Sequence, residues 1–181
     1  MWEERKVSEQ SRLRQFEQAL LPHMDAAYNL ARWLTRNDQD AEDLVQEAYL
    51  RAFKFFNSFH GTNARAWLLT IVRNTCYSWL AKNRVDELTT SFDEAHHDAE
   101  SNSPDPQSLL LQHEDKQFLR QALEALPVEF REVIILRELE GLSYKDIADI
   151  AGIPPGTVMS RLARARRRLK QSLVNLMNKE S

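Results

Sequence analysis

Six basic side chains, Arg161, Arg164, Arg166, Arg167, Arg168 and Lys170, stand in close succession, with no acid between Gly156 and the end of the run. The whole chain carries a net charge of -3, so positive charge is gathered here against the overall balance. Such a strip does not activate a nucleophile. Its chemistry is the neutralisation of phosphate: each Lys or Arg set against a nucleic-acid backbone releases condensed counterions, and side chains early in a helix reach base edges. The bland alternative is a solvated helix with ordinary surface arginines.

The elements around the strip argue against the bland alternative. Ser143 is placed as an N-cap with Asp146 three residues on, and Ile147, Ala148, Ile150 and Ala151 follow helical spacing up to Gly152, which supplies a left-handed stop. Pro154 and Pro155 then open a second helix whose apolar positions Val158, Leu162, Ala165, Leu169 and Leu173 recur every three or four residues. Caps, turn and charge agree on a helix-turn-helix that reads duplex DNA, a motif that names DNA but not the process it serves.

A second feature is acidic. In DAEDLVQEAYLRAFKFF, helical spacing buries Ala41, Leu44, Val45, Ala48, Ala52 and Phe55 and leaves Asp40, Asp43, Gln46, Glu47, Leu50, Arg51 and Lys54 toward the other side. Asp43 and Glu47 are like charges four apart, which costs an isolated helix roughly 0.2–0.5 kcal/mol, and Glu47 with Arg51 returns a similar amount. Helix stability therefore does not account for this edge. It reads either as a plain solvated face or as a docking surface for a basic protein partner, with Leu50 as the apolar contact.

The third feature mixes rings and cations. Phe53, Phe55, Phe56, Phe59, Trp67, Tyr77 and Trp79 are interleaved with Lys54, Arg65, Arg73, Lys82 and Arg84, a combination suited to single-stranded nucleic acid, although Phe53, Phe56, Trp67 and Tyr77 are expected in the core. In the loop between, Gly61 permits an irregular backbone, and Ser58, His60, Thr62 and Asn63 bring short polar groups able to read an unstacked base.

The elements that position these groups are helical throughout. With only four Gly and six Pro, several of the latter at expected helix starts, little remains for hairpins. Helices are expected over 12–35, 38–56 and 64–83, from Asp105 and Pro106 to Leu126 where Pro127 stops the pattern, from Val128 to Glu140, and in the helix-turn-helix pair. Between Asp86 and Asp115 there are nine acids and no Lys or Arg, so the stretch up to Pro106 reads as a flexible linker. The expected fold is all-α: two small helical domains, 1–85 and 107–181, joined by the acidic linker 86–106. A lone cysteine, Cys76, excludes an internal disulfide and suits a reducing cytoplasm, and the charged N-terminal stretch lacks the apolar core of a signal peptide. Cys76 with His96, His97 and His113 is a poor match to tetrahedral ligand spacing, so no metal, cofactor or enzymatic centre is expected.

Three segments, DAEDLVQEAYLRAF, ARAWLLTIVRNTCYSWL and LPVEFREVIILRELEGLSYKDIADIAGIPPGTVMSRLARARRRL, together resemble a bacterial sigma factor of the extracytoplasmic-function group. The resemblance covers nearly the whole chain and implies a promoter-specificity subunit, not an enzyme, whose first domain binds core RNA polymerase and the -10 element and whose second binds the -35 element. It implies that Asp43, Gln46, Glu47, Leu50 and Arg51 dock on the polymerase clamp helices. It also implies that Ser58, Phe59, His60, Gly61, Thr62, Asn63 and Asn74, with Arg65 and Arg73 beside them, hold a base flipped from the -10 strand. In the second domain it places Thr157, Ser160, Arg161 and Arg164 toward the -35 groove, Arg166 and Arg167 on phosphates, and Arg137 and Tyr144 on the backbone. Met159 and Ala163 depart from the larger or polar residues common at these positions and remove hydrogen-bonding groups from the reading face. Such factors are commonly held inactive by an anti-sigma factor. The alternative is a stand-alone helix-turn-helix regulator with a sensing or dimerising N-terminal bundle, which has no need of single-strand contacts.

Overall fold

Pro22 decides the first departure from the expected helices. Lacking an N–H and clashing with the carbonyl one turn back, it cannot sit inside a helix. The 12–35 segment is accordingly two helices, α1 (Trp2–Leu20) and α2 (Met24–Thr35), separated by a tight turn at Leu21–His23. This computed structural model describes residues 2–87 and 116–179. The acidic stretch from residue 88, the expected helix start at Asp105 and Pro106, and His96, His97 and His113 lie outside the described residues.

Arg36 takes the left-handed conformation that ends α2, and Asn37 then caps α3 (Asp38–Phe55) by accepting from the Asp40 N–H at 3.0 Å. A short turn and the loop to Asn63 lead into α4 (Ala64–Glu87), longer than its periodicity suggested, so that the first residues of the expected linker are helical. After the undescribed stretch, residues 116–124 form α5, which stops before Pro127 as expected. Buried Arg131 closes that end by donating to the carbonyls of Glu124 and Leu126 at 2.8 and 2.9 Å. Burial pulls its guanidinium down to about 10.

α6 (Val128–Ile134) runs on into one widened turn, Ile135–Leu139, where Glu140 N–H reaches back to Ile135 O, before Gly141 reverses the chain at φ +65°. The last two helices match the sequence reading closely: α7 (Tyr144–Ala151), capped by Ser143 and closed by Gly152 at φ +65°, and α8 (Pro155–Lys179). No strand occurs among the described residues, and no described helix is long and apolar enough to cross a membrane.

α2, α3 and α4 pack on one another around Leu30, Leu34, Leu44, Leu68 and Leu69; α6 and α7 both pack on α8, around Ile147, Val158 and Leu162. These two units correspond to the two expected helical domains. They also touch, α4 against α7 and α2 against α6, and their buried apolar residues form one continuous cluster. Phe55, expected inside, is 54% exposed. Its neighbours fill the available space instead, for Phe53 and Phe56 both meet the Phe16 ring edge-on, at 5.1 and 5.4 Å.

Gly152 tests the reading of the helix-turn-helix corner. A Cβ there would meet no atom within 4 Å, yet the left-handed backbone strains any other residue. Gly152→Ala is expected to lower unfolding stability by about 1–2 kcal/mol, read by urea titration, without altering the helical circular dichroism.

Candidate nucleic-acid and protein interfaces

α3 presents its acidic edge to solvent. Asp43, Gln46, Glu47 and Arg51 are all exposed, Leu50 stands 73% exposed among them, and the face behind is buried against α2 and α4. Glu47 pairs with Arg51 one turn on, and Gln39 donates to Asp43 at 3.4 Å. An exposed leucine ringed by charge is a small apolar contact point, and pairing at full exposure does little for stability.

α8 presents the basic strip. Val158, Leu162 and Ala165 are buried, while Met159, Ser160, Ala163, Arg164 and Arg167 are exposed and Thr157 and Arg161 are half-buried beside them. Not all of the cations are free. Arg166 donates to Glu138 at 2.6 Å and Arg168 lies over the Phe130 ring at 5.0 Å, so Arg161, Arg164, Arg167 and Lys170 remain the cations of the strip with neither a carboxylate nor a ring against them among the described residues. Arg137 is likewise engaged internally, donating to Leu142 O at 2.7 Å and stacking on Tyr144.

The third site is partly structural. Asn63 caps α4 by accepting from Ala66 N–H at 3.0 Å, a role the spacing had concealed. Ser58 donates to Phe55 O at 2.6 Å, and Phe59 packs on Phe56 and on Trp67, 4.8 Å away. A Cβ on Gly61 would sit 3.0 Å from the Phe59 ring, so any larger residue there makes the ring give by a few tenths of an ångström. His60, Gly61, Thr62 and Asn74 are exposed. Phe53, Phe56, Trp67 and Tyr77 are half-buried and pack on the core, as the sequence suggested.

What the sequence did not reveal is that the second unit reaches this same site. Arg73 pairs with Glu132, which has no exposed surface, and Tyr77 Oη donates to the other oxygen of that carboxylate at 2.9 Å. Arg73 also stacks on the Tyr77 ring at 4.2 Å. Arg65 donates to Glu140 at 2.6 Å, Asn29 to the same carboxylate at 3.2 Å, and Asn63 Nδ2 to Asp146 at 3.2 Å. Burial, followed by the charge of Glu132, raises the Tyr77 phenol well above its ordinary range and keeps its proton on the donor. The same two causes push the buried Cys76 thiol up to about 12, which removes it as a nucleophile. A signal for Glu132 was available: it is an acid immediately before the apolar run Val133–Leu136 of a helix that must be buried.

Comparison with known proteins follows the same division. Residues 20–85 match the family model described as Sigma-70 region 2, and residues 117–169 match Sigma-70, region 4. The extracytoplasmic-function RNA polymerase sigma-E factor of Haemophilus influenzae is 35% identical over 155 residues, covering 82% of this chain and 81% of that protein. Its counterpart in Escherichia coli is 36% identical over 148 residues, 77% of each. The factor SigE of Mycolicibacterium smegmatis is 30% identical over 170 residues, and this chain spans 92% of its own length but 65% of that longer protein. Among solved structures, the sigma factor RpoE of Bartonella quintana, crystallised with the anti-sigma factor NepR, is 37% identical with a TM-score of 0.73, over 88% of this chain and 97% of that one. CnrH, solved with the cytosolic domain of CnrY, shares the fold at 23% identity and a TM-score of 0.62, over 98% of each chain.

Tyr77→Phe leaves one oxygen of the buried Glu132 without its donor. The expected cost is about 1–3 kcal/mol of unfolding free energy, and an unchanged denaturation midpoint would refute the bond.

Proposed function

The chain belongs to the sigma-70 family as an extracytoplasmic-function sigma factor of RNA polymerase, a transcription initiation factor, and from that premise we propose how its residues divide the work. Residues 1–85 bind core polymerase and the -10 element, 86–106 connect, and 107–181 bind the -35 element. The observation that carries this division is that α3 and α8, on different units, expose surfaces of opposite charge that their own packing does not use.

In this reading Asp43, Gln46, Glu47 and Arg51 surround Leu50 as it docks on the polymerase clamp helices. The loop Ser58, Phe59, His60, Gly61, Thr62 and Asn63, with Asn74, receives a base displaced from the -10 strand, and Arg65 and Arg73 follow its backbone. Unstacking costs a few kcal/mol, which capture of the base offsets. Thr157, Ser160, Arg161 and Arg164 face the -35 groove while Arg167 meets phosphate; Arg166, Arg137 and Tyr144 join the backbone contacts once their internal partners release them. Met159 and Ala163 make the reading face poorer in hydrogen-bonding groups, so fewer base positions are specified there.

The protein performs no chemistry of its own and acts in the cytoplasm, where polymerase is. A relative of 37% identity was crystallised with an anti-sigma factor, which supports a similar partner for this chain. A stand-alone regulator is the weaker reading, since it gives the acidic face of α3 no task.

Transcription from a genomic promoter library with reconstituted holoenzyme tests the whole assignment; transcripts no more abundant than with core polymerase alone would reject it. Asp43→Lys with Glu47→Lys is expected to weaken polymerase binding in a pull-down while leaving the helical spectrum intact, and unchanged binding would remove the docking assignment. Arg164→Ala is expected to cost about 1–3 kcal/mol on specific -35 DNA if the guanidinium reads a guanine. A loss of equal size on every sequence would make Arg164 a phosphate contact.

A further inference from the structure

His60, Gly61 and Thr62 form the exposed tip of the loop assigned to the -10 strand, and neither His60 nor Thr62 has a side-chain hydrogen bond among the described residues. The place of the tip is therefore set from elsewhere. At the far end of the loop Asn63 caps α4; at the near end α3 stops at Phe55 and the short turn Phe56–Ser58 follows. The near end is held by a chain of rings. Phe59 lies 4.8 Å from Trp67 and 6.4 Å from Phe56, and Phe56 meets Phe16 of α1 edge-on at 5.4 Å. The backbone of Gly61 rests against the same Phe59 ring, so a shift of that ring moves the tip.

Phe16 is the hub of the chain. It is buried, and Tyr49, Phe53 and Phe56 all meet its ring edge-on, at 6.3, 5.1 and 5.4 Å, the arrangement in which a ring's edge and another's face attract. Bulk alone would be served by a leucine; a ring in this place sets the angle of its three neighbours. One turn earlier on α1, Arg12 donates to Phe53 O at 2.7 Å and lies over the Phe53 ring at 4.7 Å. A cation at the last turn of α3 answers its open carbonyls and the negative end of its dipole, so Arg12 fixes where α3 stops and the loop begins. Both residues precede residue 20, where the match to Sigma-70 region 2 begins. The loop is thus held by an element outside the matched region.

We propose that α1 braces the -10 loop, with Arg12 and Phe16 as positioning residues that set the angle of Phe56 and, through it, the place of Phe59, Gly61 and the polar groups of His60 and Thr62. This rests on the assignment of the loop to the -10 strand and adds what holds the loop for that task. Neither Arg12 nor Phe16 contacts the base; both act through the rings. A hydrogen bond weakens steeply with misalignment, so a small displacement of the loop lowers its selectivity between bases. The -35 contacts on α8 are untouched.

The test compares holoenzymes reconstituted from core polymerase and a saturating amount of the full chain as wild type, Phe16→Leu, Arg12→Ala and Leu34→Val. Leu34 is buried in α2 and makes none of these ring contacts, so Leu34→Val weakens the same unit without touching the brace. Urea titration of each free chain reads the stability lost. Three templates are transcribed: a promoter that the wild-type holoenzyme opens, a copy changed at the -10 position to which wild-type output is most sensitive, and a copy changed in the -35 element. Discrimination is the output ratio of the first template to a changed one, in which altered affinity for core polymerase cancels. Phe16→Leu and Arg12→Ala are expected to lower the -10 ratio by about twofold to tenfold, the equivalent of an aromatic contact, and to leave the -35 ratio at its wild-type value. Leu34→Val is expected to leave both ratios unchanged. If Phe16→Leu fails to fold, Arg12→Ala, at a half-buried position, carries the test. An unchanged -10 ratio in the folded variants would overturn the brace, and so would an equal loss in Leu34→Val, which would make the effect one of general stability. A His60→Ala, Thr62→Ala double variant that discriminates as wild type does would instead reject the assignment of the loop to the -10 strand, and the brace with it.

Discussion

Glu132 has no surface in contact with water, so its charge must be answered by groups that the fold brings to it. Arg73 and Tyr77 supply the answer from α4, and both reach it across the boundary between the two units. Removing one partner of a buried pair costs about 3–5 kcal/mol, whereas the pair as a whole adds little over a well-packed apolar substitute. The pair therefore fixes an arrangement more than it adds stability. It joins α4 to α6 on the side where Glu140 and Asp146 also meet the first unit.

Arg65, Arg73 and Asn63 lie on or beside the N-terminal half of α4, and each has a carboxylate of the second unit within hydrogen-bonding reach.

The surfaces kept outside the contact follow from helix geometry. α3 turns its small residues Ala41, Ala48 and Ala52 inward, which lets α2 and α4 approach closely and leaves the long polar side chains outward. α8 does the same with Val158, Leu162 and Ala165, and its strip is thinned by Glu138 and Phe130, which engage Arg166 and Arg168. Cations that a linear sequence presents as equivalent are thus divided by their neighbours into structural and available ones.

Local periodicity was enough to determine the helix-turn-helix with both of its caps, the stop at Pro127 and the inward faces of α3 and α8, because each depends on residues within a turn or two of one another. Three motifs in their order along the chain were enough for the family. Tertiary structure alone decided that Phe55 faces outward while Phe53 and Phe56 close on Phe16, and that Asn63 serves first as a helix cap. It alone paired Arg73 with Glu132, Arg65 with Glu140 and Asn63 with Asp146, partners 59, 75 and 83 residues apart. A hydrophobic period says which face of a helix is buried but not which face of another helix will cover it. That choice is made by the packing of the whole chain, where a buried charge admits few arrangements.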